Sequence, residues 1–159
     1  MGARSETLAK QFEGKATEFT MVIEKLSDAE WKTVTASEEW PVGVTAHHVA
    51  SAHEPIAGIM KTVASGQAMP PFTMAMLDEM NAKHAKDFAG CTKAETLDLN
   101  RKGVTAAAGV VRGLSDAELD KKGAVVTGMP EMSVQQIIEN ILINHVEEHL
   151  GSIRATVGH

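Results

Sequence analysis

The chain has 159 residues, 43% of them hydrophobic and 23% charged, which is the size and composition of one ordinary globular domain rather than a disordered or fibrous chain. A formal net charge of -6, with no cluster of Lys and Arg, argues against a nucleic-acid partner, whose phosphates demand a basic face. The single cysteine, Cys91, excludes an internal disulfide and every cysteine-rich metal motif, so any metal chemistry must rest on histidine and carboxylate.

From Glu6 to about Leu26 apolar residues recur at helical spacing, with Leu8, Phe12, Phe19, Val22, Ile23 and Leu26 on one stripe. Neither this start nor any later run has the apolar length of a leader or membrane anchor, and Glu6 spoils the myristoylation pattern that Gly2 opens; a cytoplasmic protein is expected. The polar stretch from Ser27 to Glu39 reads as a loop with room for one short helical turn. Trp40-Pro41 then opens a second helix to about Ser65, with Pro55 inside it, because proline suits a first turn. Gly66 to Pro71 closes it. A third helix is expected from Phe72 or Thr73 to about Phe88, and a fourth, past Gly90, from Lys93 to Leu114.

Leu114-Ser-Asp-Ala-Glu-Leu119 echoes Leu26-Ser-Asp-Ala-Glu-Trp31. A helix start capped by serine explains both copies, and a pseudo-repeat of helical hairpins is the alternative. Ala124 to Thr127 is the one candidate extended piece. The last helix should begin at Met132-Ser133 and run to about Thr156. The class is all-α, in a single domain over residues 1–159.

A helical wheel of the last helix puts Val134, Ile138, Ile141, His149, Ser152 and Thr156 within about 40° of His145, so both histidines are expected at the centre of the buried face. An i, i+4 pair stacks two imidazoles on adjacent turns, a spacing that chelates transition metals. On the second helix His48 shares a face with Val44, Ala52, Ile59 and Val63, whereas His47 and His53 fall about 100° and 140° away. His48, His145 and His149 are therefore the expected metal ligands, leaving positions open for water or substrate. His47, His53, His84 and His159 are expected at the surface, with His47 and His53 as weak candidates for contacts around the ligands or substrate.

His145-Val-Glu-Glu-His149 lacks the glutamate that HExxH proteases need directly after their first histidine, which excludes that mechanism. Glu148, about 60° from His145, is the candidate catalytic carboxylate; Glu147 points away. Met69, Met74, Met76 and Met80 with Phe72 are a candidate apolar wall, with core or dimer filler as the plainer role. Cys91, alone at an interhelical turn, is a minor candidate ligand or nucleophile.

Trp40-Pro41-Val42, His48 eight residues after the tryptophan, and His145-Val-Glu-Glu-His149-Leu-Gly-Ser-Ile153, with Asp78 and Asn81-Ala82 between them, resemble the DinB-like superfamily, which includes thiol-dependent transferases and mycothiol-dependent maleylpyruvate isomerases. The resemblance implies a four-helix bundle with long inter-helix loops, often a homodimer, holding zinc or nickel through His48, His145 and His149. Many members carry His and Gln where this chain has Glu148 and Ser152. The expected function is a metal-dependent enzyme activating a thiol or water toward a small electrophile, with a low-molecular-weight thiol as possible cosubstrate. A non-catalytic small-molecule sensor using the same pocket and a plain metal-free bundle are the competing readings.

Overall fold

The computed structural model describes residues 2–158, so His159 lies outside the described residues. Helices α1 (Ala3–Glu24), α2 (Asp28–Lys32), α3 (Val42–Ala64), α4 (Met74–Asp87), α5 (Lys93–Arg112) and α6 (Asp116–Leu119) precede a two-stranded ribbon, β1 (Lys122–Gly123) and β2 (Met132–Ser133). The chain then continues as α7 (Val134–Ile137), a π-helical segment (Ile138–Ile143) and α8 (Asn144–Val157). Four long rods form the bundle: α1 packs on α5, α5 on α3, α3 on α8, and α8 back on α1. It is an all-α four-helix bundle with long connections.

Local chemistry sets the helix starts. Ser27 and Ser115 each accept a hydrogen bond from the backbone N–H of Glu30 and Glu118 at 3.1 Å, and each glutamate side chain returns a bond to the serine N–H. The echoed Ser-Asp-Ala-Glu segments thus both start short capped helices. Thr73, Thr92 and Ser133 cap α4, α5 and α7 in the same way. The extended piece is not at Ala124 to Thr127: Lys122 and Gly123 pair antiparallel with Ser133 and Met132. Gly123 decides this position, because a Cβ there would press on Val63 at 3.1 Å.

The core is built from the predicted stripe of α1, from Val63 of the expected α3 face, and from residues of α3 that the wheel placed elsewhere; Val44 of that face is buried too. Leu8, Phe12, Phe19, Ile23 and Leu26 are buried, against Ala46, Val49, Ala57, Met60, Ala107, Ala108 and Val111. Small residues let α3 and α5 approach closely; a Cβ at Gly103 would meet His53 at 3.2 Å and the Ala50 carbonyl at 3.3 Å. This contact turns α3 so that His47 and His53 are 5% and 1% exposed, against the surface positions expected of them. With α1, α5 and α8 around it, α3 has no single outer face from which a wheel centred on His48 can be read.

A second displacement occurs in the last rod. Beside Ile137, the buried residues there are Val134, Ile138, Leu142, Val146, Leu150 and Ile153, the first five of them spaced by four rather than 3.6. The π-helical turn at Ile138–Ile143 absorbs the extra residue. His145 and His149 consequently lie beside the buried stripe, half-buried, rather than at its centre.

Candidate metal centre

His48 from α3 and His145 and His149 from α8 converge, with one ligand-capable atom of each lying within 4.8 Å of the others. Their ring centroids are 4.7 Å (His48–His145), 5.0 Å (His48–His149) and 4.6 Å (His145–His149) apart. Nε2 of His48 faces Nε2 of His145 at 2.9 Å, a separation at which two neutral rings share a single proton. Trp40 packs edge-on to His48 with centroids 5.3 Å apart and walls one side.

The carboxylate at this cluster comes from the loop between α2 and α3. Glu38 Oε2 accepts from His149 Nδ1 at 2.7 Å, and Oε1 accepts from Ser152 Oγ at 2.6 Å. The bond fixes the proton of His149 on Nδ1 and leaves Nε2 bare for a ligand, the role that outer carboxylates play behind metal-bound imidazoles. The loop itself is pinned. Val34 bridges Pro41, the Thr35 N–H donates to the Trp40 carbonyl at 2.8 Å, and the Val42 N–H donates to the Thr33 carbonyl at 2.8 Å. Glu39 closes the turn in the left-handed region, at φ 60°.

Glu148, the carboxylate expected from the sequence, is exposed, and Glu38 takes the position beside the ligands. The cause is again the offset of the buried stripe: with Val146 inward, Glu148 falls about 160° around the helix from it. Glu38 carried no periodic signal, because its place depends on a loop folding back over α8. Ser152, three residues after His149, holds the other oxygen of Glu38.

Burial governs the electrostatics. It pushes His48 down to about 4, helped by repulsion from His149 and His84, and His145 down to about 2, helped by His48 and His149. Both rings are thus neutral at physiological pH, the form that donates to a metal. For Glu38, burial acts upward, but hydrogen bonds from Ser152, Thr35 and His149 outweigh it and hold the carboxyl below its ordinary range.

Other candidates fall away from the triad or join it unexpectedly. His53 is bound in the core, its Nε2 2.8 Å from Asn100 Oδ1, and Asn100 Nδ2 donates to Thr20 Oγ1 at 3.3 Å. His84, expected at the surface, is half-buried: its Nε2 lies 2.8 Å from His47 Nδ1, and its ring centroid lies 5.6 Å from that of His48. Cys91 is buried with its thiol donating to the Gly43 carbonyl at 3.3 Å, and burial raises its pKa, so it is not a poised nucleophile. Met69 packs on the core, while Met74, Met76 and Met80 are exposed. A surface groove of about 650 Å³ between α1 and α5 is lined by none of these histidines.

The donor set suits a transition-metal ion: three imidazoles, one of them backed by a carboxylate, with Nδ1 of His145 buried and without a protein partner. Among the described residues no helix is long and apolar enough to cross a membrane.

A family model described as the DinB superfamily matches residues 11–153. No curated protein matches in sequence. Among solved structures, YfiT from Bacillus subtilis, described as a probable metal-dependent hydrolase with an unusual four-helix bundle topology, superposes with a TM-score of 0.74 at 17% identity, covering 99% of this chain and 87% of its own. Mycothiol-dependent maleylpyruvate isomerase superposes with a TM-score of 0.74 at 13% identity, and a histidine-to-alanine mutant of it with 0.75 at 11%. This chain spans 63% of the isomerase.

Proposed function

The chain belongs to the DinB superfamily, and on that premise we propose that it is a metal-dependent enzyme that activates a thiol or a water molecule for attack on a small electrophile. Transfer of a low-molecular-weight thiol is the specific version of the reading, with zinc or nickel as the ion, in a homodimeric cytoplasmic protein. The convergence of His48, His145 and His149 within 4.8 Å carries it. The similar folds of a described metal-dependent hydrolase and of a thiol-dependent isomerase support the choice of chemistry.

When bound, the ion supplies Lewis acidity that lowers the pKa of a coordinated thiol or water. The protein's own part is positional. The three imidazoles are presented from two rods, so the donor set is held by the bundle rather than by a loop. Glu38 keeps the Nδ1 proton of His149 in place, and Ser152 keeps Glu38 in place. Trp40 packs edge-on against His48 and so helps fix the orientation of that ring.

Elemental analysis of the native chain beside His48→Ala and His149→Ala is the deciding experiment, followed by a panel of thiols and electrophiles on the loaded protein. Near-stoichiometric metal in the native chain, lost from both variants, together with conjugation or hydrolysis, supports the reading. Metal binding with ligand-induced thermal shifts but no turnover would replace it with the sensor reading. A native chain that stays metal-free after reconstitution would leave the histidines a structural role.

A further inference from the structure

The triad does not use every imidazole at its end of the bundle. His47, on the next position of α3, and His84, on α4, face each other through Nδ1 and Nε2 at 2.8 Å. This repeats the relation of His48 and His145, whose facing nitrogens stand 2.9 Å apart within the triad. Ligand nitrogens about 2.0–2.1 Å from one ion lie about 2.9 Å apart at a right angle and about 3.3 Å apart at the tetrahedral angle. A small opening of either pair therefore admits an ion in place of the shared proton.

Two further observations distinguish the pair from a chance contact. Phe88 stacks on His47 with centroids 4.1 Å apart and lies 4.9 Å from His84, so both ring planes are fixed by a common aromatic neighbour. In addition, α4 lacks the usual means of attachment: none of its 14 residues is buried. The segment before it is tied down by Phe72, whose carbonyl accepts from the Thr127 N–H and whose N–H donates to Thr127 Oγ1, both at 2.8 Å. At its other end the His47–His84 contact and the stacking of Phe88 on His47 tie it to α3, and Nδ1 of His84 is buried without a protein partner.

We propose that His47 and His84 form a second, two-histidine site for a transition-metal ion, which cross-links α4 to α3 beside the triad. With two protein donors against three it is the weaker site, its remaining positions filled by water or substrate. The location of the first ion rests on the proposed function; the second site does not depend on any particular reaction.

The test is titration of the chelator-treated full chain with zinc alone, followed by calorimetry and by amide hydrogen exchange across residues 74–87. The unmodified chain should take up about two equivalents, and the second should slow exchange in α4. His84→Ala and His84→Gln should each lose the weaker equivalent and the slowing while keeping the tighter one; far-ultraviolet circular dichroism checks that they fold. His149→Ala should lose the tighter equivalent and keep both the weaker one and its effect on α4. Uptake of a single equivalent by the unmodified chain, unchanged in His84→Ala, would overturn the second site while leaving the triad intact. Loss of only the tighter equivalent's signal in all forms would count against the triad instead.

Discussion

Removing the Glu38 carboxylate separates what the loop contributes to the metal centre from what the helices contribute. Its two oxygens hold His149 Nδ1 at 2.7 Å and Ser152 Oγ at 2.6 Å, and its side chain is 9% exposed. In Glu38→Ala the His149 ring is free to change tautomer and to rotate, so Nε2 no longer stands ready. Loss of such an outer partner costs about 10- to 100-fold in metal affinity. At saturating metal this removes about 1.4–2.7 kcal/mol of stabilisation, or about 3–10 °C of melting temperature for a chain of this length. Ser152 and His149 also lose a hydrogen-bond partner in the metal-free protein, at about 1 kcal/mol. The quantity to measure is therefore the difference between the shifts with zinc and with chelator, beside zinc affinity from competition with a chelator of known strength. Glu38→Gln, which keeps an acceptor oxygen, should recover part of the loss. A zinc affinity for folded Glu38→Ala within about twofold of the unmodified chain would refute the role assigned to the carboxylate.

The metal-free protein should lose stability on mild acidification. His48 and His84 titrate near 4 when folded and near 6.5 when unfolded, so the unfolded chain binds more protons between those values. Stability is full above about pH 6.5 and falls with decreasing pH through that window, by up to about 1.4 kcal/mol per pH unit for each group, which chemical denaturation at stepped pH will measure. A flat profile from pH 7 to 5 would contradict the burial of these rings. Gly43→Ala should destabilise the fold by about 1–3 kcal/mol, because the new Cβ would land inside the Trp31 indole, which is itself held by donation to the Cys91 carbonyl at 3.1 Å. Equilibrium unfolding in urea checks this, and an unchanged midpoint would show that Trp31 can move aside.

Much of the architecture was legible because it rests on local patterns. The stripe of α1 marks a core-facing helix wherever the chain occurs, and Ser27, Ser115 and Ser133 cap helices by bonds that span three residues. The i, i+4 pair His145 and His149 is likewise a property of one helix. What the wheels misread was phase. The π-helical turn at Ile138–Ile143 inserts a residue into the period, which moved the buried stripe to Val146 and Leu150 and left Glu148 outside. The close approach of α3 and α5 at Gly103 turned His47 and His53 inward.

The sequence by itself determined the all-α class, the positions of the long helices, the exclusion of an internal disulfide and the identity of the three histidines that converge. These follow from composition and from spacings within single helices, where each residue's neighbours are set by covalent connection. Only the tertiary structure decided that Glu38 stands behind His149, that Ser152 holds it, and that His84 meets His47. Each of those contacts joins side chains between 37 and 114 residues apart in sequence. No period along the chain encodes such a pairing; it exists because a pinned loop and a helix without buried residues are carried to the same end of the bundle by the packing of the rods.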